Sequence, residues 1–277
     1  MIKLTDEELA VMAKVINREC GILYDSAKKY LFEARLQERL YDLRLSSFTE
    51  YLPLIDGPTT SKTEIERFIN AVTTNETSFF RNVAQIDALA NVILPEILRA
   101  KKTSGNNKVK IWSAASSSGE EIYTIAMILG RRGVISKGIS LELYASDINT
   151  EVLAMAEAGN YSKHSLRNMP PEYRENFFEN HSDWYKLKKE KLPKVRFDRI
   201  NLLNPKYPPG YDNFDVVFCA NVLIYFGIEA KRKVVEGISK IMGDNSYFFT
   251  GHSETLHNVS KNFKLVNANG IPVYQKL

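Results

Sequence analysis

Cysteine is scarce in this chain. There are two in 277 residues, Cys20 and Cys219, and neither belongs to a CxxC pair. That excludes a disulfide-stapled scaffold and a cysteine zinc site, and it fits a reducing compartment. Histidine is almost as rare, with four in all. His164 and His252 have no partners at ligand spacing, so no metal is expected. No apolar run approaches the ~20 residues of a membrane-spanning helix, and the opening "MIKLTDEELA" is charged where a signal peptide is apolar. A cytoplasmic protein without membrane insertion is the expectation. Charge imbalance is small as well. A net charge of +4 suits an acidic partner surface and gives no sign of nucleic-acid binding. Two nucleotide signatures are missing: there is no G-x-G-x-x-G turn and no G-K-[ST], which excludes a P-loop. There is no internal repeat and no low-complexity tract.

What is present is ordinary globular material, 44% hydrophobic and 25% charged, in a chain long enough for a sizeable core. The first part reads as helices. "LTDEELAVMAKVINREC" opens with Thr5 as N-cap and acids in the first turn, and Leu9, Met12, Val15 and Ile16 form one apolar stripe. "SAKKYLFEARLQERLYDLRL" repeats the pattern, with Ser26 as cap and Leu31, Leu36, Leu40 and Leu43 inward. Lys28, Arg35 and Arg39 lie opposite, the two arginines four residues apart and so neighbours on the surface. "SFTEYLPLI" and "KTEIERFINAVTT" are two further short helices. No strand-like alternation precedes residue 100.

After that the pattern changes. "VKIWSA", "LELYASD", "FDVVFCA" and "YFFTGHS" are short apolar runs bounded by turn residues or charges, and "GEEIYTIAMILGRRG", "NTEVLAMAEAG" and "EAKRKVVEGISKIM" between them are helical. Continuous apolar strands alternating with helices predict a mostly parallel sheet covered on both faces, an α/β fold. Such sheets bind ligands at the carboxyl ends of their strands. The segment from about 164 to 195 breaks the alternation. It is basic and aromatic, contains a Pro-Pro pair, and predicts a small inserted antiparallel unit built around "DWYKLKK". The expected organisation is an all-α domain at 1–72 and the sheet domain at 73–277, with the insertion inside it.

The first strand runs into "IWSAASSSGEEIYTIAM", a strand, a small-residue turn and a helix, which is the shape of a nucleotide-binding turn. Glu120 and Glu121 stand where a pyrophosphate would lie, so they repel a dinucleotide and favour a cationic ligand. The alternative is that acids at a helix start merely complement its dipole, and for Glu120 the two readings are evenly balanced. Asp147, in "YASDIN", follows Glu121 by 26 residues, about the spacing at which an acid accepts ribose hydroxyls. Its alternative role is an N-cap. Asn201 in "RINLLN" ends another short strand and can pair with a base edge while Leu202 covers the base face, although an asparagine in a turn is the plainer reading. "FDVVFCANVLIYF" leaves its strand through Asn221 towards Tyr225, a core aromatic or a ring against a cation. A ribose and a positive charge with no phosphate site suggest S-adenosylmethionine.

"TTNETSFFRN" crowds short hydrogen-bonding side chains around a Phe-Phe pair followed by Arg81. Together with "WSAASSSGEE", "ASDINTEVLAMAEAGNYS", "FDVVFCANVLIYF" and "GHSETL" it resembles the motif set of the chemotaxis receptor glutamate methyltransferases, the CheR family, in the same order over nearly the whole chain. The resemblance implies a Rossmann-like class I methyltransferase domain behind a helical domain. It implies cofactor contacts from Asn75, Thr77, Arg81, Glu121, Asp147, Asn201, Leu202 and Asn221, and it puts Tyr225 near the transferred methyl. Members of the family usually carry Arg before the asparagine of the fourth strand. This chain has Ala220, so the contact there is through backbone only or is lost.

The implied reaction moves a methyl group from S-adenosylmethionine to a receptor glutamate and leaves S-adenosylhomocysteine. A free glutamate has a pKa of about 4.3 and is already ionised, so no general base is needed. Arg81 is the candidate for steering the acceptor, because a guanidinium matches a carboxylate bidentately. Its alternative is a salt bridge to an acid such as Glu76. The implied partner is the cytoplasmic helical region of a methyl-accepting receptor, which the basic face of Lys28, Arg35 and Arg39 would complement. In the family the insertion can hold a receptor C-terminal peptide by strand addition, and the sequence does not decide whether this one does. Two other classes compete: a cofactor-binding scaffold without turnover, favoured only by Ala220, and a nicotinamide oxidoreductase, opposed by the missing glycines and the glutamate pair.

Overall fold

The computed structural model describes residues 2–24, 29–103, 105–133 and 139–277. Ser26 and Lys28 lie outside the described residues. The chain divides into two compact units, Met1–Thr74 with Tyr225–Lys233, and Asn75–Ile224 with Val234–Leu277.

The first unit is helical. Helix α1 (Asp6–Cys20) starts with a reciprocal cap. The Thr5 side chain accepts from the Glu8 amide, and the Glu8 carboxylate accepts from the Thr5 amide. Gly21, at φ 76°, ends it in the left-handed conformation that glycine adopts most easily. Leu9, Met12, Val15 and Ile16 are buried, as their spacing predicts. Helix α2 (Lys29–Asp42) turns a slightly different face inward than expected. Phe32, Leu36 and Leu40 are buried, whereas Leu31 and Leu43 are half-buried. The largest apolar side chain sets the stripe, and the Phe32 ring packs on Tyr24 and Phe68. Helices α3 (Phe48–Ile55) and α4 (Lys62–Val72) are capped by Ser47 and Ser61.

The basic face expected on α2 is not a free one. The Arg39 guanidinium donates twice to the Glu64 carboxylate, at 2.8 and 2.5 Å, and the Tyr51 hydroxyl donates to the same group at 2.8 Å. Burial alone would raise the pKa of Glu64, but the bonds from Arg39 and Tyr51 outweigh it and the net shift is downward. Arg35 donates to the carbonyls of Val72 and Thr73, at 2.9 and 3.0 Å, at the end of α4. Both arginines therefore tie α2 to α4, and the exposed positions of α2 are Tyr30, Ala34, Glu38, Tyr41 and Asp42. Breaking a largely buried ion pair from one side leaves an uncompensated charge. Arg39→Ala is expected to destabilise this unit by about 3 kcal/mol, read by urea denaturation. An unchanged midpoint would show that the pair contributes nothing net.

The second unit opens with a helical run that the sequence pattern did not separate: α5 (Val83–Ala88), a π-turn (Leu89–Ile93) and α6 (Leu94–Thr103). The Leu94 amide reaches back to the Leu89 carbonyl. This wider turn precedes Pro95, whose ring would clash in a regular helix interior. Then follow β1 (Lys108–Ala114), α7 (Glu120–Arg131), β2 (Ser140–Asp147), α8 (Thr150–Ala158), β3 (Asn160–Ser162), α9 (Pro171–Phe177), β4 (Phe178–His181), β5 (Trp184–Leu187), β6 (Val195–Arg199), β7 (Phe214–Cys219), α10 (Ile228–Ile241), β8 (Met242–Thr250), β9 (Phe263–Ala268) and β10 (Ile271–Lys276). The main sheet has the order β6-β2-β1-β7-β8-β10-β9. The first five strands of that order are parallel, and β10 runs antiparallel to both of its neighbours. The β9–β10 hairpin was not expected, although Asn269-Gly270, with φ 54° and 87°, is a strong hairpin turn signal.

The insertion is a three-stranded antiparallel sheet in the order β3-β5-β4. Its centre is Trp184–Leu187, inside "DWYKLKK" as predicted, and it begins at Asn160, a little before the expected boundary.

Candidate active site

In the main sheet the order reverses between β1 and β7, the switch point at whose carboxyl ends sheets of this kind hold their ligands in a crevice. The first of these loops, Ala115–Gly119, is tightly wound. Ala115, Ser117 and Gly119 have φ of 57°, 50° and 88°. The Ser116 amide donates to the Ser146 carbonyl at 2.8 Å, and the Gly119 amide to the Ser116 carbonyl at 3.0 Å. A Cβ on Gly119 would lie 3.0 Å from the Ala156 Cβ and 3.2 Å from the Tyr123 ring. Its small size therefore serves the packing of α7 on α8 and not only close approach to a ligand.

The four acids have different tasks. Glu120 is buried and accepts from the Ser118 hydroxyl at 2.7 Å, so its carboxylate is engaged within the turn. Asp147 ends β2. One of its oxygens accepts from the Ser117 amide at 2.9 Å and the other from the Asn149 amide at 3.0 Å. Burial raises its pKa, opposed by those amides. The cap of α8 is Asn149, whose side chain accepts from Glu151 and Val152, so the capping alternative for Asp147 fails. Glu121 is enclosed but retains some open surface, and it accepts from the Ser113 hydroxyl at 2.8 Å. Burial pushes its pKa up to about 7; the Ser113 bond and the Arg81 charge work downward and Glu254 works upward.

Glu254 is the fourth, and sequence reasoning missed it. "GHSETL" stands out as a motif, but nothing in the string distinguishes its acid from an exposed loop residue. One carboxylate oxygen accepts from the amides of Asn221 and Gly251, at 2.8 and 2.6 Å. The other accepts from the Ile224 amide at 3.1 Å.

"TTNETSFFRN" resolves into an anchor and a reach. Phe79 is buried with its ring edge-on to Tyr161 and Phe178, centroids 4.8 and 5.2 Å away. Phe80 packs on Tyr173 and has φ 57°, rare for a bulky residue, and its amide donates to the Thr124 hydroxyl at 3.2 Å. That reversal leaves Arg81 exposed, donating to the Glu76 backbone carbonyl at 2.7 Å. The expected alternative, an ion pair with the Glu76 carboxylate, is not formed, because that carboxylate pairs with Arg167 at 2.8 Å. Asn75 accepts through its carbonyl from the Ser117 hydroxyl at 3.1 Å, joining this segment to the turn after β1. Thr77 is half-buried.

Asn201 follows β6. The neighbouring Ile200 amide donates to the Asp147 carbonyl at 3.0 Å, which keeps Asn201 by the end of β2. Its side-chain oxygen accepts from the Leu203 amide at 3.0 Å, an Asx turn, and Leu202 is buried. Ala220 and Asn221 leave β7 half-buried, Asn221 at φ 62°. Glu121, Asp147, Asn201 and Asn221 thus follow or end the adjacent strands β1, β2, β6 and β7 at their carboxyl ends, and Asn75 meets the turn after β1. Tyr225 groups instead with the first unit, where its carbonyl accepts from the Leu23 amide at 2.8 Å. Among the described residues no group of three or more His, Cys, Asp or Glu could hold a metal ion.

Residues 7–73 match the CheR methyltransferase all-alpha domain, and residues 75–271 match the CheR methyltransferase SAM binding domain. The chain belongs to the CheR methyltransferase family. The chemotaxis protein methyltransferase of Vibrio parahaemolyticus is 33% identical over 278 residues, covering 99% of this chain and 98% of that protein. Those of Borreliella burgdorferi and Escherichia coli are each 33% identical, covering 96% and 95% of this chain and 93% and 90% of the relatives. The matched regions of the sheet unit and the helical unit are accordingly the SAM binding domain and the all-alpha domain of CheR. The CheR SAM binding domain begins at Asn75, the residue that closes onto the turn after β1.

Proposed function

We propose that this chain transfers the methyl group of S-adenosylmethionine to glutamate side chains of methyl-accepting chemotaxis receptors in the cytoplasm, leaving glutamate methyl esters and S-adenosylhomocysteine. The observation that carries the reading is the pair of enclosed acids at the switch point, Glu121, half-buried, and Asp147, buried. Ionised, these carboxylates repel a diphosphate and suit a ligand that brings positive charge, and such a ligand would in turn draw the raised pKa of Glu121 down. The residues fit S-adenosylmethionine in kind: an acid at the end of β2 for ribose hydroxyls, an acid at the start of α7 for an ammonium, and Asn201 with Leu202 for a base.

When bound, that cofactor supplies a methyl group activated on a sulfonium. The residues of this chain place the acceptor. Arg81 is exposed, anchored by a backbone carbonyl rather than neutralised by an acid. It therefore has donors left for an incoming carboxylate, of the five a guanidinium carries. Its role is alignment, since strong neutralisation would also stabilise the ground-state anion. Glu121 holds the charged end of the donor, and Asp147 sets the ribose. For Tyr225 the family pattern is the whole support. The relatives' shared name, chemotaxis protein methyltransferase, supports receptors as substrate.

A scaffold that binds cofactor without turnover is the second reading, favoured by Ala220. Incubating the purified protein with methyl-labelled S-adenosylmethionine and receptor-containing membranes decides between them. Label on the receptor, released as methanol by mild base, is expected. Cofactor binding by calorimetry with no label on any receptor would establish the scaffold.

A further inference from the structure

Cys219 and Thr250 pair in register where β7 and β8 end, so Ala220–Asn221 and Gly251–Glu254 leave the sheet side by side. The second segment folds back on itself. The Glu254 amide donates to the Gly251 carbonyl at 3.0 Å, and the Thr250 hydroxyl to the Glu254 carbonyl at 3.3 Å. The carboxylate of Glu254 is thereby aimed across at the loop after β7, where it accepts from the amides of Asn221 and Ile224 while also holding its own Gly251 amide. Three backbone donors on one carboxylate make a rigid brace, and hydrogen bonds to a charged group are the strong ones.

The brace is closely fitted. A Cβ on Gly251 would lie 2.7 Å from the Asn221 side-chain nitrogen, 2.7 Å from Glu254 Oε2 and 2.8 Å from the Asn221 amide. Asn221 sits at a left-handed φ of 62°, a conformation asparagine adopts more readily than other non-glycine residues, and the Glu254 bond to its amide fixes it there. The family's usual arginine beside it is alanine here, so the loop draws no fixing contact from a long side chain at position 220.

We propose that Glu254 is a positioning residue for methyl transfer, fixing the loop that presents Asn221 to the cofactor crevice and setting the charge that Glu121 experiences. This rests on the methyltransferase reading of the crevice. The second half follows from the register of β1, β7 and β8: Ser113, which holds Glu121, pairs with Phe218, and the next residue, Cys219, pairs with Thr250, so Glu121 and Glu254 stand over neighbouring strand ends, where Arg81 from the "NETSFFR" segment and Glu254 from the segment after β8 act on the charge of Glu121. The Cys219 thiol is held neutral by burial and by the two acids. Arg81 is the cation acting on Glu121 and Glu254 the anion opposing it.

The test compares Glu254→Gln, Glu254→Ala and Gly251→Ala with the parent, using calorimetric binding of S-adenosylmethionine across pH 5.5 to 8.5 and receptor methylation kinetics. Glutamine keeps the shape. Its single carbonyl can serve Asn221 and Gly251 while its amide meets the Ile224 N–H donor to donor, so it disturbs the fold least of the three. We expect affinity to fall about threefold in Glu254→Gln at pH 8 and at least tenfold in Glu254→Ala and Gly251→Ala. In Glu254→Gln the midpoint of the pH dependence of binding should move to lower pH, because Glu121 has lost a neighbouring negative charge. A purely structural acid would lower the melting temperature without moving that midpoint. Parent-like affinity and an unmoved midpoint in Glu254→Gln would overturn the proposal. Failure of the parent itself to bind the cofactor would overturn the methyltransferase reading instead.

Discussion

Arg81→Ala should leave the cofactor bound within about tenfold of the parent and reduce methyl transfer to receptors by two to three orders of magnitude. The side chain is exposed, and its one intramolecular bond is to a backbone carbonyl, so little stability is at stake. What it offers is a planar pair of donors beside the crevice. Aligning a carboxylate oxygen with a methyl and its leaving group accounts for several kcal/mol of a displacement barrier, and about 3 kcal/mol corresponds to roughly a hundredfold in rate. The modest loss in cofactor affinity has a separate cause. Arg81 holds down the pKa of Glu121, so its removal leaves that acid more protonated at neutral pH. Steady-state kinetics with S-adenosylmethionine and receptor membranes, alongside calorimetry, separates the two effects. Full turnover in the variant would remove Arg81 from the mechanism.

Glu121→Gln should weaken S-adenosylmethionine binding by about a hundredfold at pH 8, since a hydrogen bond to a charged group is worth roughly 1.5–3 kcal/mol and each 1.4 kcal/mol is tenfold. In the parent the acid must be ionised to hold a cation. With its pKa raised to about 7 in the free protein, affinity should fall close to tenfold per pH unit below that value, and binding at pH 6 should release nearly one proton. Titration in two buffers of different ionisation enthalpy measures the proton directly. The sign for stability is opposite. An acid whose folded pKa lies above its unfolded value of about 4.3 contributes stability that is complete below pH 4 and lost as pH rises through 7. The cofactor-free glutamine variant should therefore melt above the parent at pH 8 and with it near pH 4. Coincident melting curves at both pH values would mean that Glu121 is not desolvated in the free protein.

The parts of the fold that were legible in the sequence are those where one period dominates. The α1 stripe and the parallel strands of the main sheet follow from apolar spacing that no tertiary contact overrides, the Thr5 cap from its residue type and the acids after it, and the strand inside "DWYKLKK" from a basic, aromatic break in the alternation. The β9–β10 hairpin was missed because its strands are half polar and only Asn269-Gly270 marks it. The candidate site was legible in outline, because strand ends and the turn after the first strand single out Asp147 and Glu121 by position, while Asn221 came from the family resemblance. The partners of charges were not. Arg39 and Glu64 are 25 residues apart, and nothing in the helix periodicity reveals that the arginine is committed to α4. Glu254 reaches Asn221 across 33 residues, a distance that only the β7–β8 register closes. Glu120 and Glu121 are adjacent letters with different fates, decided by which side chain meets Ser118 and which meets Ser113.

The most direct test of the acid-lined crevice is a crystal structure of the protein soaked with S-adenosylhomocysteine. The ribose hydroxyls should lie within hydrogen-bonding distance of Asp147 and the amino group beside Glu121, with the base near Asn201 and Leu202. A ligand bound clear of both acids, or a crevice left empty at saturating concentration, would contradict the account.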